Sequence, residues 1–174
     1  MAEIKLTQGK VALIDDEDME RCRVHKWYAH RTGTTWYART HSRLQSGQRY
    51  TLRLHRFLTG APKGVKVDHC DGNGLNCRRL NIRLATTAQN GANRSKPPGR
   101  ATSQFKGVSK KKPSFRWRHP KWQAQICVNQ KQIYLGSFSS EREAAQAYDC
   151  AALIYFGEFA RGNFMKAWGW EGRP

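Results

Sequence analysis

The sequence is short of acidic residues, of long apolar runs and of regularly spaced cysteines. Its 174 residues include 13 Asp+Glu against 31 Lys+Arg, which gives a formal net charge of +18. No apolar run approaches the roughly 18 residues of a membrane span, and the N-terminus lacks the apolar segment of a signal peptide. Five cysteines at irregular spacing do not make a secreted disulfide framework. We therefore expect a cytoplasmic protein without a membrane partner, whose partner is a polyanion, with nucleic acid as the first candidate.

The positive charge is concentrated beyond the first part of the chain. The first 50 residues have a net charge of +3, the next 50 of +8 and the last 74 of +7. Residues 101–131 include eight basic side chains and no acidic one. Such self-repulsion indicates an anionic partner, and the alternative is a solvated basic face that keeps the protein soluble. The acidic run at residues 15–18 is interpreted as a turn leading into a short helix rather than a metal site, because carboxylates favour the positive end of a helix.

Residues 93–102 divide the chain into two domains. Two adjacent prolines stand there among Gly, Ser and basic residues, a composition that propagates neither a helix nor a central strand. This segment is predicted to be a basic linker, which serves either as a spacer or as a tether along a phosphate backbone. We expect one domain over 1–92 with a β-rich N-terminal part, a second over 103–166, and a tail over 167–174.

The second domain shows a clear period. Residues 122–128 alternate between apolar and polar side chains, as in a half-buried strand, and Asn129-Gln130 predicts a tight turn to a second strand. Phe105–Val108 supplies a third strand. Ser140 begins a capping box, and alanines at helical spacing follow as far as Tyr155. The predicted fold class is α+β, and this half is a three-stranded antiparallel sheet packed on one α-helix, with a polar, cationic outer face that fits a DNA groove.

The residues that bear chemistry lie in the first domain, between 67 and 90. The pattern predicts a strand, a loop, a second strand and a helix. Asp68 and Asn90 offer oxygen ligands to a hard divalent cation, and His69 titrates near neutral pH, so it can deprotonate water. The residues alone leave this open, because a histidine beside a turn is more often structural.

Several short motifs in this stretch resemble the HNH homing endonucleases of phage and bacteria. Asn81 stands 12 residues after His69, and Asn90 follows nine residues later, in family order. The full set is Leu54-His55-Arg56-Phe57, Val67-Asp68-His69, Asp71-Gly72-Asn73, Leu80-Asn81-Ile82-Arg83 and Gln89-Asn90. The resemblance implies a ββα-metal nuclease domain.

The same resemblance implies roles for individual residues. His69 would be the general base, Asp68 and Asn90 would hold one divalent metal, and Asn81 would brace the loop that orients His69. His55 and Arg83 are candidates for further site residues.

The implied cofactor is Mg²⁺ or Mn²⁺, one per active site, and no small-molecule cofactor is expected. The last family position is often His, whereas Asn90 is a neutral ligand that suits these cations and not Zn²⁺. Some relatives have a structural zinc on two CxxC pairs. This sequence has no CxxC, so we expect no structural zinc.

The second domain resembles the APETALA2-type (ethylene-response) DNA-binding domain over about residues 103–165. The motifs that carry this resemblance are Phe105-Lys106-Gly107-Val108, Trp122–Ile126, Ile133–Phe138, Ala144–Asp149, Ala151-Ala152 and Asn163-Phe164. That family lays its sheet in the major groove. The matching groove-facing positions here are Lys106, Ser109, Lys121, Gln125, Cys127, Gln132 and Tyr134, with Tyr148 near a phosphate and Arg116 and Arg118 as further candidates for DNA contact.

The second domain also departs from its plant relatives. They have arginines where this chain has Ser109, Cys127 and Gln132. Because a bidentate arginine–guanine pair contributes roughly 1–3 kcal/mol of discrimination, the plant target sequence is not transferable.

Together, the two resemblances imply a homing-type, site-directed DNA endonuclease acting on double-stranded DNA. It would hydrolyse a phosphodiester with a divalent metal and leave 5′-phosphate and 3′-hydroxyl ends. One HNH motif per chain predicts a monomer that nicks one strand. The alternatives are a DNA-binding transcriptional regulator with an inactive HNH fold and an RNA-binding protein. The outer sheet face has few aromatic residues for stacking bases, which argues against RNA.

Overall fold

The computed structural model describes residues 1–43, 45–96, 99, 102–111 and 121–165. The chain divides into two compact units, Met1–Thr87 and Ala88–Pro174. Four small antiparallel sheets and a few helices make up the described residues, which confirms the mixed α+β character. The predicted edges of the linker stay predictions, and the predicted tail lies outside the described residues. Within the described part of the chain, no helix is long and apolar enough to cross a bilayer.

The first unit begins with a β-hairpin and a short helix. Strands β1 (Ala2–Lys5) and β2 (Val11–Ile14) pair antiparallel, and a tight turn at Asp16–Asp18 leads into helix α1 (Met19–Arg23). The interpretation of the acidic run as a turn before a short helix is therefore confirmed.

One member of that acidic run, Asp18, is fully buried. The Asp18 carboxylate has no exposed surface and accepts hydrogen bonds from Arg79 Nε at 3.0 Å and Nη2 at 2.8 Å, and from Arg21 Nη1 at 3.3 Å. The backbone N–H of Arg79 donates to Asp15 Oδ2 at 2.7 Å. A buried carboxylate needs such partners to offset its lost hydration. These bonds tie the start of α1 to the loop that contains Arg79.

A three-stranded sheet follows. Its strands β3 (Tyr28–Thr32), β4 (Thr35–Arg43) and β5 (Arg49–Arg53) are antiparallel in the order β3-β4-β5. One face packs on the core of the unit, where the buried residues are Ala12, Ile14, Cys22, Trp27, Ala38, Leu54, Leu75 and Cys77.

The remaining elements between residues 54 and 92 are short. Helix α2 (Leu54–Thr59) precedes the antiparallel pair β6 (Lys66–His69) and β7 (Ile82–Ala85), and helix α3 (Thr87–Ala92) crosses the boundary between the two units. The long loop between β6 and β7 is joined to strand β2 by two backbone hydrogen bonds, Leu13 N to Leu75 O at 2.9 Å and Cys77 N to Leu13 O at 2.8 Å.

The second unit contains strands β8 (Val108–Lys111), β9 (Lys121–Val128) and β10 (Lys131–Phe138), in the order β10-β9-β8, and helix α4 (Glu141–Phe156). Asn129 and Gln130 have φ angles of 49° and 65°, as a two-residue hairpin turn requires. The capping box is formed: Glu143 N donates to Ser140 Oγ at 3.1 Å, and Ser140 N donates to Glu143 Oε2 at 3.4 Å.

Small residues let α4 lie close to the sheet. Buried residues on the helix pack against buried residues on β8 and β9, in two adjoining clusters that include Val108, Ala124, Ile126, Ala144, Ala145, Tyr148, Ala151 and Ala152. Trp122 packs against one of these clusters. At the end of the unit, the fully buried Asp149 carboxylate accepts from the backbone N–H groups of Asn163 and Phe164, each at 2.7 Å.

Strand β8 begins at Val108 rather than at the predicted Phe105. Gly107 has a φ of +75°, a left-handed conformation outside the strand region. Its backbone passes directly over the Tyr148 ring, which a Cβ atom on Gly107 would overlap.

We expect Gly107→Ala to destabilise the second unit by about 3 kcal/mol. The substitution adds the cost of a left-handed residue, about 1–2 kcal/mol, to that of overpacking against Tyr148. Denaturant unfolding of the full chain measures the loss. Gly99→Ala is the matched control, since no atom of the described residues lies within 4 Å of a Cβ there. Equal stability of the two variants would contradict this packing.

Candidate functional site

The first candidate site is built around His69, at the end of β6. The His69 side chain is 6% exposed. Its ring meets the His55 ring edge-on, with centroids 5.0 Å apart, and the Tyr37 ring at 5.9 Å. Its Nε2 lies 4.0 Å from the Cys77 thiol. Strand β6, helix α2 and strand β4 thus enclose one imidazole.

Helix α2 supplies the second histidine. His55 is 4% exposed, and its Nδ1 has no hydrogen-bond partner among the described residues. The structure therefore places His55, which was a candidate for a further site residue, directly beside His69. An unpartnered ring nitrogen in the interior is costly unless a water or ligand meets it.

Burial keeps both imidazoles neutral at pH 7. Burial lowers the pKa of His69 to about 4, although Asp71 and Asp68 act in the opposite direction. Burial also lowers the pKa of His55 to about 3, helped by His69 and then by Arg53, Arg56 and Arg39. A neutral imidazole can accept a proton, which is the state that a general base requires.

The loop that follows His69 is held by Asn81. The Asn81 amide donates to Asp71 Oδ1 at 3.0 Å and to the Asn76 carbonyl at 2.7 Å, and its Oδ1 accepts from Asp71 N at 3.1 Å. Asp71 in turn accepts from Asn73 N at 2.8 Å and from Asn76 Nδ2 at 2.7 Å. The same loop packs on Tyr37: a Cβ atom on Gly74 would lie 2.6 Å from the Tyr37 ring.

Asp68 is paired with Arg83 directly across the β6–β7 ladder. Arg83 Nε and Nη2 lie 3.1 Å and 3.0 Å from Asp68 Oδ2. Only 14% of the arginine side chain and 5% of the aspartate side chain are exposed. Arg83, which was the second candidate for a further site residue, therefore balances the charge of Asp68. Asp68 is the carboxylate that was predicted to hold a metal.

The donor set fits a hard cation better than zinc. Asp68 is a carboxylate and Asn90 is an amide, and both offer oxygen. Burial raises the pKa of the Cys77 thiol to about 12 and also raises that of Cys70, so neither is a ready thiolate. Asn90 lies in α3, beyond the unit boundary at Thr87. No group of three or more His, Cys, Asp or Glu side chains within the described ranges is arranged to hold a metal.

The second candidate site is the outward face of the sheet in the second unit. Opposite residues in an antiparallel pair share a face, and Tyr134 pairs with Gln125, Gln132 with Cys127 and Ser109 with Gln123. The inward residues of β9 pack on α4. The outward face therefore contains six of the predicted DNA-contacting residues: Ser109, Lys121, Gln125, Cys127, Gln132 and Tyr134.

The same face includes residues that the sequence reasoning missed. Gln123 follows from the alternation of β9, and Lys111 from its pairing with Lys121. Ser137 lies there because a bulge between Tyr134 and Gly136 shifts the alternation of β10. Its hydroxyl is 2.8 Å from the Tyr134 hydroxyl. The alternation could have revealed Gln123, whereas no sequence signal marked the bulge.

Two further residues that were predicted to contact DNA lie away from this face. Lys106 Nζ donates to the backbone carbonyls of Ala92 at 2.7 Å and Arg161 at 3.2 Å, and burial lowers its pKa to about 8. Tyr148 is 4% exposed and belongs to the core under α4. Arg116 and Arg118 lie outside the described residues.

Comparison with known proteins finds relatives of two types. Residues 57–92 match the family model described as HNH endonuclease. A mimivirus protein, the uncharacterized HNH endonuclease L560 of Acanthamoeba polyphaga mimivirus, is 34% identical over 118 residues, which cover 64% of this chain and 57% of that protein. These matches confirm the resemblance to HNH endonucleases.

The relatives of the other type are plant proteins. The AP2-like ethylene-responsive transcription factors PLT2 of Arabidopsis thaliana and CRL5 of Oryza sativa subsp. japonica are 42% and 40% identical over 67 residues, 37% of this chain. The match covers 11% and 10% of those proteins. The resemblance to the APETALA2-type domain is confirmed as well. The chain thus spans little more than half of its viral relative and about a tenth of these plant relatives. No solved structure matches the chain.

We expect the first unit to lose stability as the pH falls from 7 towards 4. The unfolded chain binds protons at histidines near pH 6.5, whereas His55 and His69 resist protonation until about pH 3 and 4. Their contribution is complete above pH 6.5 and is lost progressively below it. At pH 5 the loss is about 2 kcal/mol per histidine.

Urea unfolding of the full chain at several pH values measures this dependence. His55→Gln should remove about half of it, whereas the same change at the exposed His41 should leave it intact. A free energy of unfolding that does not change between pH 7 and 5 would contradict the burial of these two imidazoles.

Proposed function

We propose that this chain is a homing-type DNA endonuclease that hydrolyses a phosphodiester with a divalent metal and nicks one strand of duplex DNA. The observation that carries the proposal is the neutral, buried His69, which stands beside Asp68 at the start of a loop held by Asn81. These residues lie inside the segment that matches the HNH endonucleases. The expected ends are a 5′-phosphate and a 3′-hydroxyl.

In this proposal, His69 is the general base. Its neutral ring accepts the proton of a water molecule as that water attacks the phosphorus. Asn81 acts through the loop: its three hydrogen bonds fix the chain that leaves His69, and so fix the direction of the imidazole.

Asp68 and Asn90 would hold the metal, Mg²⁺ or Mn²⁺, through oxygen ligands. When bound, such an ion supplies positive charge to the leaving oxygen. Arg83 could serve two functions. Its guanidinium balances the charge of Asp68, and a guanidinium also binds phosphate oxygens. The proposal includes no zinc.

The outward face of the β8–β10 sheet would select the DNA site. It presents amides, hydroxyls and two lysines, which are the kinds of group that read base edges in the major groove. Because this chain lacks the plant arginines at Ser109, Cys127 and Gln132, its target differs from theirs. One HNH segment per chain supports nicking by a monomer.

We expect His69→Ala to abolish the nicking of supercoiled plasmid in Mg²⁺ or Mn²⁺. Loss of a general base lowers the rate by about 10²–10⁴-fold, and EDTA should stop the wild-type protein. Gel conversion of a plasmid library from supercoiled to nicked circles measures the rate. The control is His25→Gln, a histidine that packs against Trp27 and Phe57 and lies outside the loop of the site.

Three outcomes would overturn parts of this proposal. Tight duplex binding without cleavage, even in Mn²⁺, would favour a DNA-binding regulator with an inactive HNH fold. Linear product without a nicked intermediate would contradict single-strand cleavage by a monomer. Full activity of His69→Ala would remove this histidine from the chemistry.

We expect Gln125→Ala to weaken binding to a target that the wild-type chain selects from a random duplex library. Loss of a bidentate contact to a base costs about 1–3 kcal/mol, or roughly 5- to 150-fold in affinity. Gln146→Ala, an exposed glutamine on α4 on the other side of the unit, should bind like wild type. Equal losses in the two variants would argue against readout by the outward face.

A further inference from the structure

The sheet of the first unit has a second face that the site does not use. Its core face includes Ala29, Ala38 and Leu52. Opposite residues in an antiparallel pair share a face and successive residues alternate, so the strand register assigns every second side chain to the other side. We call that side the arginine face; it comprises Tyr28, His30, Thr32, Thr35, Tyr37, Arg39, His41, Arg43, Arg49, Thr51 and Arg53.

The arginine face brings like charges together. Arg39 stands directly opposite Arg53, and Arg43 directly opposite Arg49. Like charges in opposite positions destabilise a sheet. Residues 21–66, which include the whole sheet, contain eleven Lys/Arg and no Asp or Glu. The repulsion is therefore not offset by acidic neighbours in sequence.

The described structure offers these four arginines no ion pair either. None of the ion pairs among the described residues includes Arg39, Arg43, Arg49 or Arg53. Three of the four are exposed. The fourth, Arg39, donates from Nη2 to Thr32 Oγ1 at 3.0 Å, but its Nε is buried without an acceptor among the described residues. A cationic donor in that state favours an anionic acceptor.

The arginine face is continuous with the histidine site. Tyr37, on the same face, meets the His55 ring at 5.6 Å and the His69 ring at 5.9 Å. The positive charges of Arg53 and Arg39 contribute to the lowered pKa of His55. A polyanion along the arginines would therefore run towards His69.

We propose that the arginine face binds the backbone phosphates of duplex DNA and delivers that backbone to His69. This inference rests on the proposed function, and it assigns a partner to residues 28–53. Arginine forks suit phosphate oxygens. The aromatic rings of the face are engaged, since Tyr28 stacks on His41 at 5.2 Å and Tyr37 packs on the site histidines. Because both rings already pack against other side chains, stacking on unpaired bases is disfavoured, and a duplex is favoured over single-stranded RNA.

A double substitution on the face tests the proposal. In EDTA, the full-length Arg43→Gln/Arg49→Gln variant should bind a non-specific duplex at least about tenfold more weakly than wild type at 0.1 M salt. The slope of log K against log salt is negative, and each lost phosphate contact makes it shallower by roughly 0.9. The slope of the double variant should therefore be shallower than that of wild type by about 1.8. Arg23→Gln/Arg31→Gln removes the same charge from α1 and from the opposite face of the sheet, and should keep the wild-type slope.

An added charge gives a test that does not depend on losing a side chain. Thr51 and Tyr50 are neighbours on β5, both are exposed, and they lie on opposite faces of the sheet. Thr51→Arg should steepen the salt slope by roughly 0.9, whereas Tyr50→Arg should not. Thermal unfolding of each variant checks that it is folded.

The results separate this inference from the nuclease proposal. A wild-type salt slope in Arg43→Gln/Arg49→Gln, or equal slopes for Thr51→Arg and Tyr50→Arg, would overturn the phosphate surface whether or not the plasmid is nicked. The expected slopes in a chain that never cleaves would support the surface and contradict the nuclease. Tighter binding of single-stranded RNA than of duplex DNA, with the same loss in the double variant, would replace DNA with RNA as the partner.

Discussion

The hydrogen bonds of one amide, Asn81, are the constraint on which the candidate centre depends. They tie the start of β7 to the turn that follows His69, and Asp71 and Asn76 complete a closed set of donors and acceptors. A half-satisfied buried network is worse than an apolar core, so loss of one member exposes the others to an uncompensated desolvation cost. The ion pair of the buried Asp18 carboxylate with the exposed Arg79 also holds this loop. The loop that follows His69 is thus held by these polar side chains.

This arrangement sets the charge state of the centre before any ligand binds. The enclosed rings of His55 and His69 are neutral because burial disfavours the imidazolium. The charge of the carboxylate beside them is balanced because Arg83 lies against it. The neutral imidazoles and the balanced carboxylate are both products of packing. The charge state of these side chains therefore depends on the core of the unit.

The sequence predicts some elements well because their signals are local. The alternation in β9 and β10, the turn at Asn129, and the capping box and small-residue stripe of α4 each depend on neighbours within a few residues. The family resemblance implies a place near a phosphate for Tyr148, and the structure shows its side chain in the core beside α4. The burial of Lys106 on two backbone carbonyls, the ring contact of His55 with His69 and the bulge in β10 arise from tertiary contacts. No local pattern contains them.

The net charge of the first 50 residues does not reveal the arginine face. Acidic side chains at the start of α1 lower the net charge of the first 50 residues to +3, and so this part of the chain looked the least basic. Those acids are used locally: Asp18 is enclosed by two arginines, and Glu20 is 2.8 Å from Arg23. Strand register then collects Arg39, Arg43, Arg49 and Arg53 on one side of a sheet. Because potential near a surface follows the local arrangement of charge rather than the total, the unit with the smaller apparent surplus presents a concentrated cationic face next to its own histidines.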